Sequence, residues 1–158
     1  MRITKDNIDK FINTNDWDDK DTMDCSRMYI THIDYIPDHI KYLHCYNNNI
    51  TSLPKLPDSL THLYCRNNQL TELPKLPESL TDLYCDNNQL TELPILPESL
   101  ECLDCWNNKL TELPILPDSL KYLKCYNNNL PYIIETMEEI NKHNTLLKRK
   151  NILKRICA

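Results

Sequence analysis

The chain has 158 residues, 41% hydrophobic and 26% charged, with a formal net charge of −5. That length suits one domain, and that balance excludes a disordered or a membrane-embedded chain. Glycine is absent, which excludes the P-loop, the dinucleotide fingerprint and the EF-hand loop, because each needs backbone that glycine alone supplies cheaply.

The first stretch, MRITKDNIDKFINTNDWDD, has no apolar core of a secretory signal. No apolar run approaches the roughly 20 residues that span a bilayer. The eight cysteines therefore read as free thiols in a reducing compartment, which points to the cytoplasm. Thr4 is placed to cap a short helix carrying Ile8, Phe11 and Ile12 on one face. This helix and an acidic linker make up residues 1–19, the N-terminal cap. The acids Asp16, Asp18, Asp19, Asp21 and Asp24 read as a solvated loop, since a calcium loop would need a glycine and a terminal glutamate at set spacing.

Residues 20–130 are organised by a twenty-residue period. LTHLYCRNNQLTELPKLPES (60–79), LTDLYCDNNQLTELPILPES (80–99) and LECLDCWNNKLTELPILPDS (100–119) are copies in one register. IKYLHCYNNNITSLPKLPDS (40–59) precedes them and LKYLKCYNNNL (120–130) follows. A degenerate first copy keeps Met23, Cys25, Ile30, Ile33, Ile36 and Pro37 but has Met28 where the others have asparagine. The whole is about six repeats of the form LxxLxCxNNxLTxLPxLPxS.

Each copy predicts a short strand, roughly Leu60 to Tyr64, stacked into a parallel sheet at about 4.8 Å per rung. The paired prolines, such as Pro74 and Pro77, fix φ and remove donors, so the return leg should be extended and free of helix. Asn48, Asn68, Asn88, Asn108 and Asn128 form a column that can satisfy the backbone where the chain turns inward, an asparagine ladder. The preceding asparagines, such as Asn67 and Asn87, suit a turn with positive φ. Cys25, Cys45, Cys65, Cys85, Cys105 and Cys125 are spaced by twenty and read as a buried column of small hydrophobes. In-register rungs hold neighbouring Cβ atoms too far apart for a disulfide, and a straight column cannot converge on a metal. Cys102 and Cys105 form a CxxC with one residue facing out and one in.

Residues 131–158 form the C-terminal cap. Ile133, Ile134, Met137 and Ile140 have helical spacing, and Leu146, Leu147, Ile152, Leu153 and Ile156 continue it. One helix or two should span 135–156, with a break at Asn144–Thr145, and the first part should cover the last strand. Residues 142–158 hold six basic residues and no acid, which leaves twelve basic against 23 acidic residues, a net of −11, on the rest.

The repeat resembles the leucine-rich repeat, LxxLxLxxNxL. Its two LP steps are similar to the repeat segments of secreted bacterial effectors of the YopM and IpaH type. Cysteine in the third apolar slot, the many asparagines and the missing glycine also resemble leucine-rich repeat proteins of giant DNA viruses of amoebae. The resemblance implies a right-handed solenoid of the α/β class by family, with a parallel concave sheet, a polyproline-like convex side and helical caps. IpaH-type proteins carry a ubiquitin ligase in a large separate C-terminal domain. Only about 28 residues follow the last repeat here, so that activity is not expected.

Function is expected on the concave face, where strand side chains alternate outward. One outward column is Tyr42, His62, Asp82, Cys102 and Tyr122. The next is His44, Tyr64, Tyr84, Asp104 and Lys124, and the third is Tyr46, Arg66, Asp86, Trp106 and Tyr126. These positions vary from copy to copy while the inward ones hardly change, and they hold six of the nine tyrosines. Tyrosine, tryptophan and arginine carry interface energy, although aromatics also simply stack along a sheet. All of these except Cys102 are candidate partner-binding residues, with Asp82, Asp86 and Asp104 expected as an acidic patch. No catalytic constellation is present: Cys102 and His62 lie two rungs, about 9.6 Å, apart. The reading is a non-catalytic module without cofactor or metal, binding an unidentified protein, a host protein if the chain is viral. The alternative is a nucleic-acid or acidic-surface binder acting through the basic tail, which could also be a nuclear address. The acidic body disfavours nucleic acid, and no membrane partner is expected.

Overall fold

The computed structural model describes residues 1–12, 20–134 and 136–156, with Met137 and residues 151–156 described by their backbone alone. Its strands are β1 (Arg2–Ile3), β2 (Thr22–Asp24), β3 (His32–Ile33), β4 (Tyr42–His44), β5 (His62–Tyr64), β6 (Asp82–Tyr84), β7 (Cys102–Asp104) and β8 (Tyr122–Lys124). One helix, α1, spans Met137–Ile156. Six strands make a parallel sheet in the order β2-β4-β5-β6-β7-β8, and β1 pairs with β3 in a second, two-stranded sheet.

The register follows the twenty-residue period: Leu43, Leu63, Leu83, Leu103 and Leu123 face one another rung by rung. The first four are fully buried. The degenerate first copy joins the sheet too, with Met23 opposite Leu43. Strands are shorter than the sequence suggested, three residues rather than five, because the chain bends inward on both sides of the leucine. The return legs between repeat strands contain no helix among the described residues. Each ends in a turn in which a proline carbonyl accepts from the N–H of the next copy's first leucine or isoleucine, as Pro77 does from Leu80 at 3.1 Å and Pro37 from Ile40 at 3.1 Å.

Two columns of side-chain hydrogen bonds lock neighbouring rungs. Asn88 Nδ2 donates to the carbonyls of Cys65 (3.1 Å) and Cys85 (3.0 Å), and its Oδ1 accepts from Leu70 N–H at 3.0 Å. Asn48, Asn68, Asn108 and Asn128 repeat this arrangement. In the degenerate copy Asn48 Oδ1 receives both Met28 and Ile30 N–H groups. The second column has a partner role that sequence reasoning missed. The hydroxyls of Ser59, Ser79, Ser99 and Ser119 sit 2.6–2.7 Å from Ile40, Leu60, Leu80 and Leu100 carbonyls of the rung before.

The turn after each strand needs a left-handed residue. Asn47, Asn67, Asn87, Asn107 and Asn127 supply it with φ of 53–56°. Asparagine tolerates this region because its amide finds local partners. The first copy places Arg27 (φ 60°) there instead and adds a second left-handed residue, Tyr29 (φ 55°), two positions on, each costing on the order of 1 kcal/mol.

All six column cysteines are buried and unbridged. Burial pushes the Cys25 thiol up to about 12 and those of Cys45, Cys85 and Cys105 well above their ordinary value. The column is therefore protonated and apolar at neutral pH. Cys157 lies outside the described residues.

The caps differ from expectation. In place of a Thr4-capped helix there is one 3₁₀ turn at Ile8–Lys10, and it is Asn7 Oδ1 that accepts from Thr4 N–H. The first residues are drawn into β1 instead, and three residues cannot make a longer helix. Ile3, Ile8 and Phe11 close the front of the core. The Phe11 carbonyl accepts from Asp24 N–H at 2.7 Å, and Ile12 bridges Met23 in antiparallel sense, so this segment covers the free edge of β2. Of the acidic linker, Asp21 is held by Lys41 at 2.6 Å, and Asp16, Asp18 and Asp19 lie outside the described residues.

At the back, α1 runs unbroken through Asn144–Thr145. It starts in a capping box of the pattern Thr-x-x-Glu: Glu139 N–H donates to Thr136 Oγ1 while Glu139 Oε2 accepts from Thr136 N–H. Its first turn borders the last strand, as expected, with Thr136 and Ile140 lining a cavity together with Leu120, Lys121, Tyr122 and Leu123. Its middle turns lie on the return leg, because Asn144 is buried there and imitates a peptide group, accepting from Leu116 N–H (2.8 Å) and donating to Leu116 O (2.7 Å). His143 Nε2 lies 3.1 Å from Pro114 O, and Tyr132 OH accepts from Leu113 N–H. Ile134 and Ile140 are buried, whereas Ile133 is 74% exposed, contrary to its helical spacing. The side chains of Met137, Ile152, Leu153 and Ile156 lie outside those described.

Removing a buried amide leaves backbone groups unpaired, at about 1–3 kcal/mol. Asn88→Ala should lose that much in a urea unfolding curve. Asn128→Ala, on the half-exposed last rung, should lose less, and equal losses would show that end position does not matter.

Candidate functional site

The outward residues of β4 to β8 and of the positions just after them form a grid of three columns, all on the concave face. Its rings stack along the sheet because the rung spacing, near 4.8 Å, is also a good distance between ring centroids. Tyr64 and Tyr84 stack at 5.0 Å and 15°, and His44 meets Tyr64 edge-on at 4.8 Å. Tyr42 leans on His62 at 4.7 Å. In the third column Trp106 and Tyr126 stack at 5.5 Å, with Lys124 Nζ 5.2 Å over the Trp106 ring. The Arg66 guanidinium lies 5.2 Å over Tyr46.

The structure brings the candidate residues together but corrects the acidic patch. Asp86 is only 4% exposed and Asp104 only 7%. A short side chain between large ones lies at the floor of the grid, below Tyr84 and Trp106. Asp86 Oδ2 accepts from Asn87 Nδ2 at 2.7 Å. Asp104 lies 4.0 Å from Lys124 Nζ. Burial and the nearby Asp86 charge hold the Asp104 carboxyl above its ordinary value, outweighing the opposing pull of the Trp106 N–H, Lys124 and Arg66. Asp82 alone stays half-exposed, 3.2 Å from His62 Nε2 and 2.7 Å from the Thr81 hydroxyl. The Thr61 and Thr81 hydroxyls, which steady His62 and Asp82, were not among the expected site residues. Their signal was present, since both precede the outward residue of a strand.

The same surroundings suppress chemistry. Burial, then the Asp82 charge, raises the Cys102 thiol above its ordinary value. Burial pushes the Tyr84 hydroxyl up to about 12, helped by Cys102 and Asp82. Neither is a poised nucleophile at neutral pH. Among the described residues no group of three His, Cys, Asp or Glu side chains is placed to hold a metal ion.

The grid ends at an open rim. Tyr122 and Tyr126 are 45% and 57% exposed, more than the rings of the middle rungs.

Comparison with known proteins fits this geometry. Residues 38–78 and 58–98 each match the model described as leucine rich repeats (2 copies). A search of curated proteins gave no match. Among solved structures, YopM from Yersinia enterocolitica WA-314 is 39% identical with a TM-score of 0.66, covering 68% of this chain and 24% of that one. The leucine-rich repeat domain of a Shigella effector is 36% identical with a TM-score of 0.71, covering 73% and 53%. YopM from Yersinia pestis, a leucine-rich effector protein, is 34% identical with a TM-score of 0.71, covering 82% and 35%. This chain thus spans between about a quarter and a half of those relatives. The fold is that of a leucine-rich repeat solenoid.

A carboxyl held above its unfolded value gives up stability as pH rises through that window. Asp104→Asn should therefore raise the melting temperature at pH 7. The gain should vanish below about pH 4, where the unfolded carboxyl is protonated as well. A melting temperature that falls at pH 7 would show that the Lys124 contact outweighs burial.

Proposed function

We propose that this chain is a non-catalytic protein-binding module that takes a partner protein on its concave face. Leucine-rich repeat domains are typically protein-interaction modules, and their curvature presents a concave binding surface. The observation that supports this most is the concave grid. Its residues change from rung to rung, its rings are stacked and pre-ordered, and two carboxylates lie beneath them. Pre-stacked rings lose little freedom on binding. Buried acids flanked by rings favour a partner patch with a basic centre. Action in the cytoplasm, on a host protein if the chain is viral, belongs to the same proposal.

The basic tail offers a second reading, since Lys142, Lys148, Arg149 and Lys150 are exposed on α1. Deleting residues 142–158 would not test it, because Asn144 and His143 hold the last return leg. Lys148→Gln with Arg149→Gln is the cleaner change.

With a partner captured from cell lysate and purified, Trp106→Ala and Tyr84→Ala should each weaken binding by about 2 kcal/mol or more if they are anchors. Because both rings are stacked on a neighbour, each variant should also lose about 0.5–1.5 kcal/mol of stability. Binding is therefore measured well below the melting temperature. Glu72→Ala, on the exposed convex edge, should change nothing. Binding that survives both ring removals but weakens steeply with salt and with the tail substitutions would favour the tail.

A further inference from the structure

Each interior rung hands its backbone donors to the next one. Cys105 N–H reaches Lys124 O at 2.8 Å, Asn107 reaches Tyr126 O at 3.1 Å, and Asn108 reaches Asn127 O at 3.3 Å. Leu110 N–H reaches Asn128 Oδ1 at 3.0 Å. On the last rung the matching N–H groups of Cys125, Asn127, Asn128 and Leu130 meet no acceptor among the described residues. They border a cavity of about 550 Å³ whose walls include Leu123, Leu130, Ile133 and Ile134. Leu123 and Leu130 are partly exposed, while their counterparts one rung earlier, Leu103 and Leu110, are fully buried. The front edge of the sheet is covered by Phe11 and Ile12, and at the back α1 borders β8 only through Thr136 and Ile140 before its middle turns run onto the return leg. Among the described residues the backbone donors along the β8 edge are therefore left open, and an open edge is a template for another strand.

Charge says what that strand should carry. In two columns of the solenoid, opposite signs meet across the rung boundary. Lys41 pairs with Asp21 (2.6 Å), His44 faces Asp24 (4.0 Å), Lys121 pairs with Glu101 (2.7 Å), and Lys124 faces Asp104 (4.0 Å). The last rung shows lysine in both columns. We propose that the β8 edge binds an extended segment of a partner protein, added in parallel as a seventh strand, of pattern acid–x–apolar–acid. The acids face Lys121 and Lys124, and the apolar residue covers Leu123. A second copy fits less well, because the front edge of its six-stranded sheet is covered and the back edge of that sheet carries the same two lysines.

The probe is a fluorescein-labelled peptide with the sequence of residues 99–109, both cysteines replaced by alanine. It carries Glu101, Leu103, Asp104 and the amide of Asn108. Fluorescence anisotropy should show saturable binding to the intact chain. Lys121→Glu with Lys124→Glu should weaken it at least tenfold, and a peptide with lysine at both acidic positions should bind that variant better than the wild type. Tyr84→Ala should leave the affinity unchanged, which separates this edge from the concave grid. Should the charge-reversed variant fail to fold, hydrogen exchange on the wild-type chain serves instead. Peptide should slow exchange of the Cys125, Asn127, Asn128 and Leu130 amides at least tenfold and leave Cys45 unchanged. The proposal is overturned by no binding at millimolar peptide, by affinity indifferent to charge reversal, or by unaltered exchange at those four amides. A dimer in sedimentation that the peptide cannot displace would make the second copy the occupant and also overturn it.

Discussion

A buried carboxamide repeated every twenty residues sets the terms for everything else in this molecule. One end of Asn88 holds the carbonyls of Cys65 and Cys85, and the other holds Leu70 N–H. A single side chain thus ties its own turn to the preceding rung at two points. A rung one residue longer or shorter would break both hydrogen bonds that cross the rung boundary, in a place closed to water, where unmet polar groups are expensive. The invariant spacing, the three-residue strands and the cysteines beside the amide follow from that geometry. The serine hydroxyls close the same boundary at its other end, between return leg and strand.

Much of this was legible because the period is strict. Solenoid class, parallel register, helix-free return legs and inward cysteines all follow from one rung read six times. What the sequence hid lies where the period stops. The N-terminal segment offers Thr4 and an apolar face, but a β-pairing to His32–Ile33, thirty residues on, outcompetes the helix. Asn144 looks like a helix break in a propensity argument. Once it is buried against Leu116 its amide gains two backbone partners, and the helix continues.

The site was legible in outline and not in depth. Alternation assigns every concave residue to the outward side, but says nothing of how far a short side chain sinks between large neighbours. Asp86 and Asp104 face the same way as Tyr84 and Trp106, yet they lie beneath them. The surface shown to a partner is thus ring and ammonium, with negative charge felt from below. Such a floor acts through its field more than through direct contact, since few atoms separate it from a docked group.

The thiol column gives each rung its own reporter of local opening. Cys45, Cys65, Cys85 and Cys105 have a neighbouring rung on each side, whereas Cys125 has one. In a solenoid, stability is close to a sum of rung and boundary terms, so opening spreads from the ends inward. An alkylating reagent reaches a protonated, buried sulfur only after its rung has parted from the stack. The order in which these cysteines become modified would trace the gradient of unfolding free energy along the chain, one rung at a time, through thiols the sequence already carries.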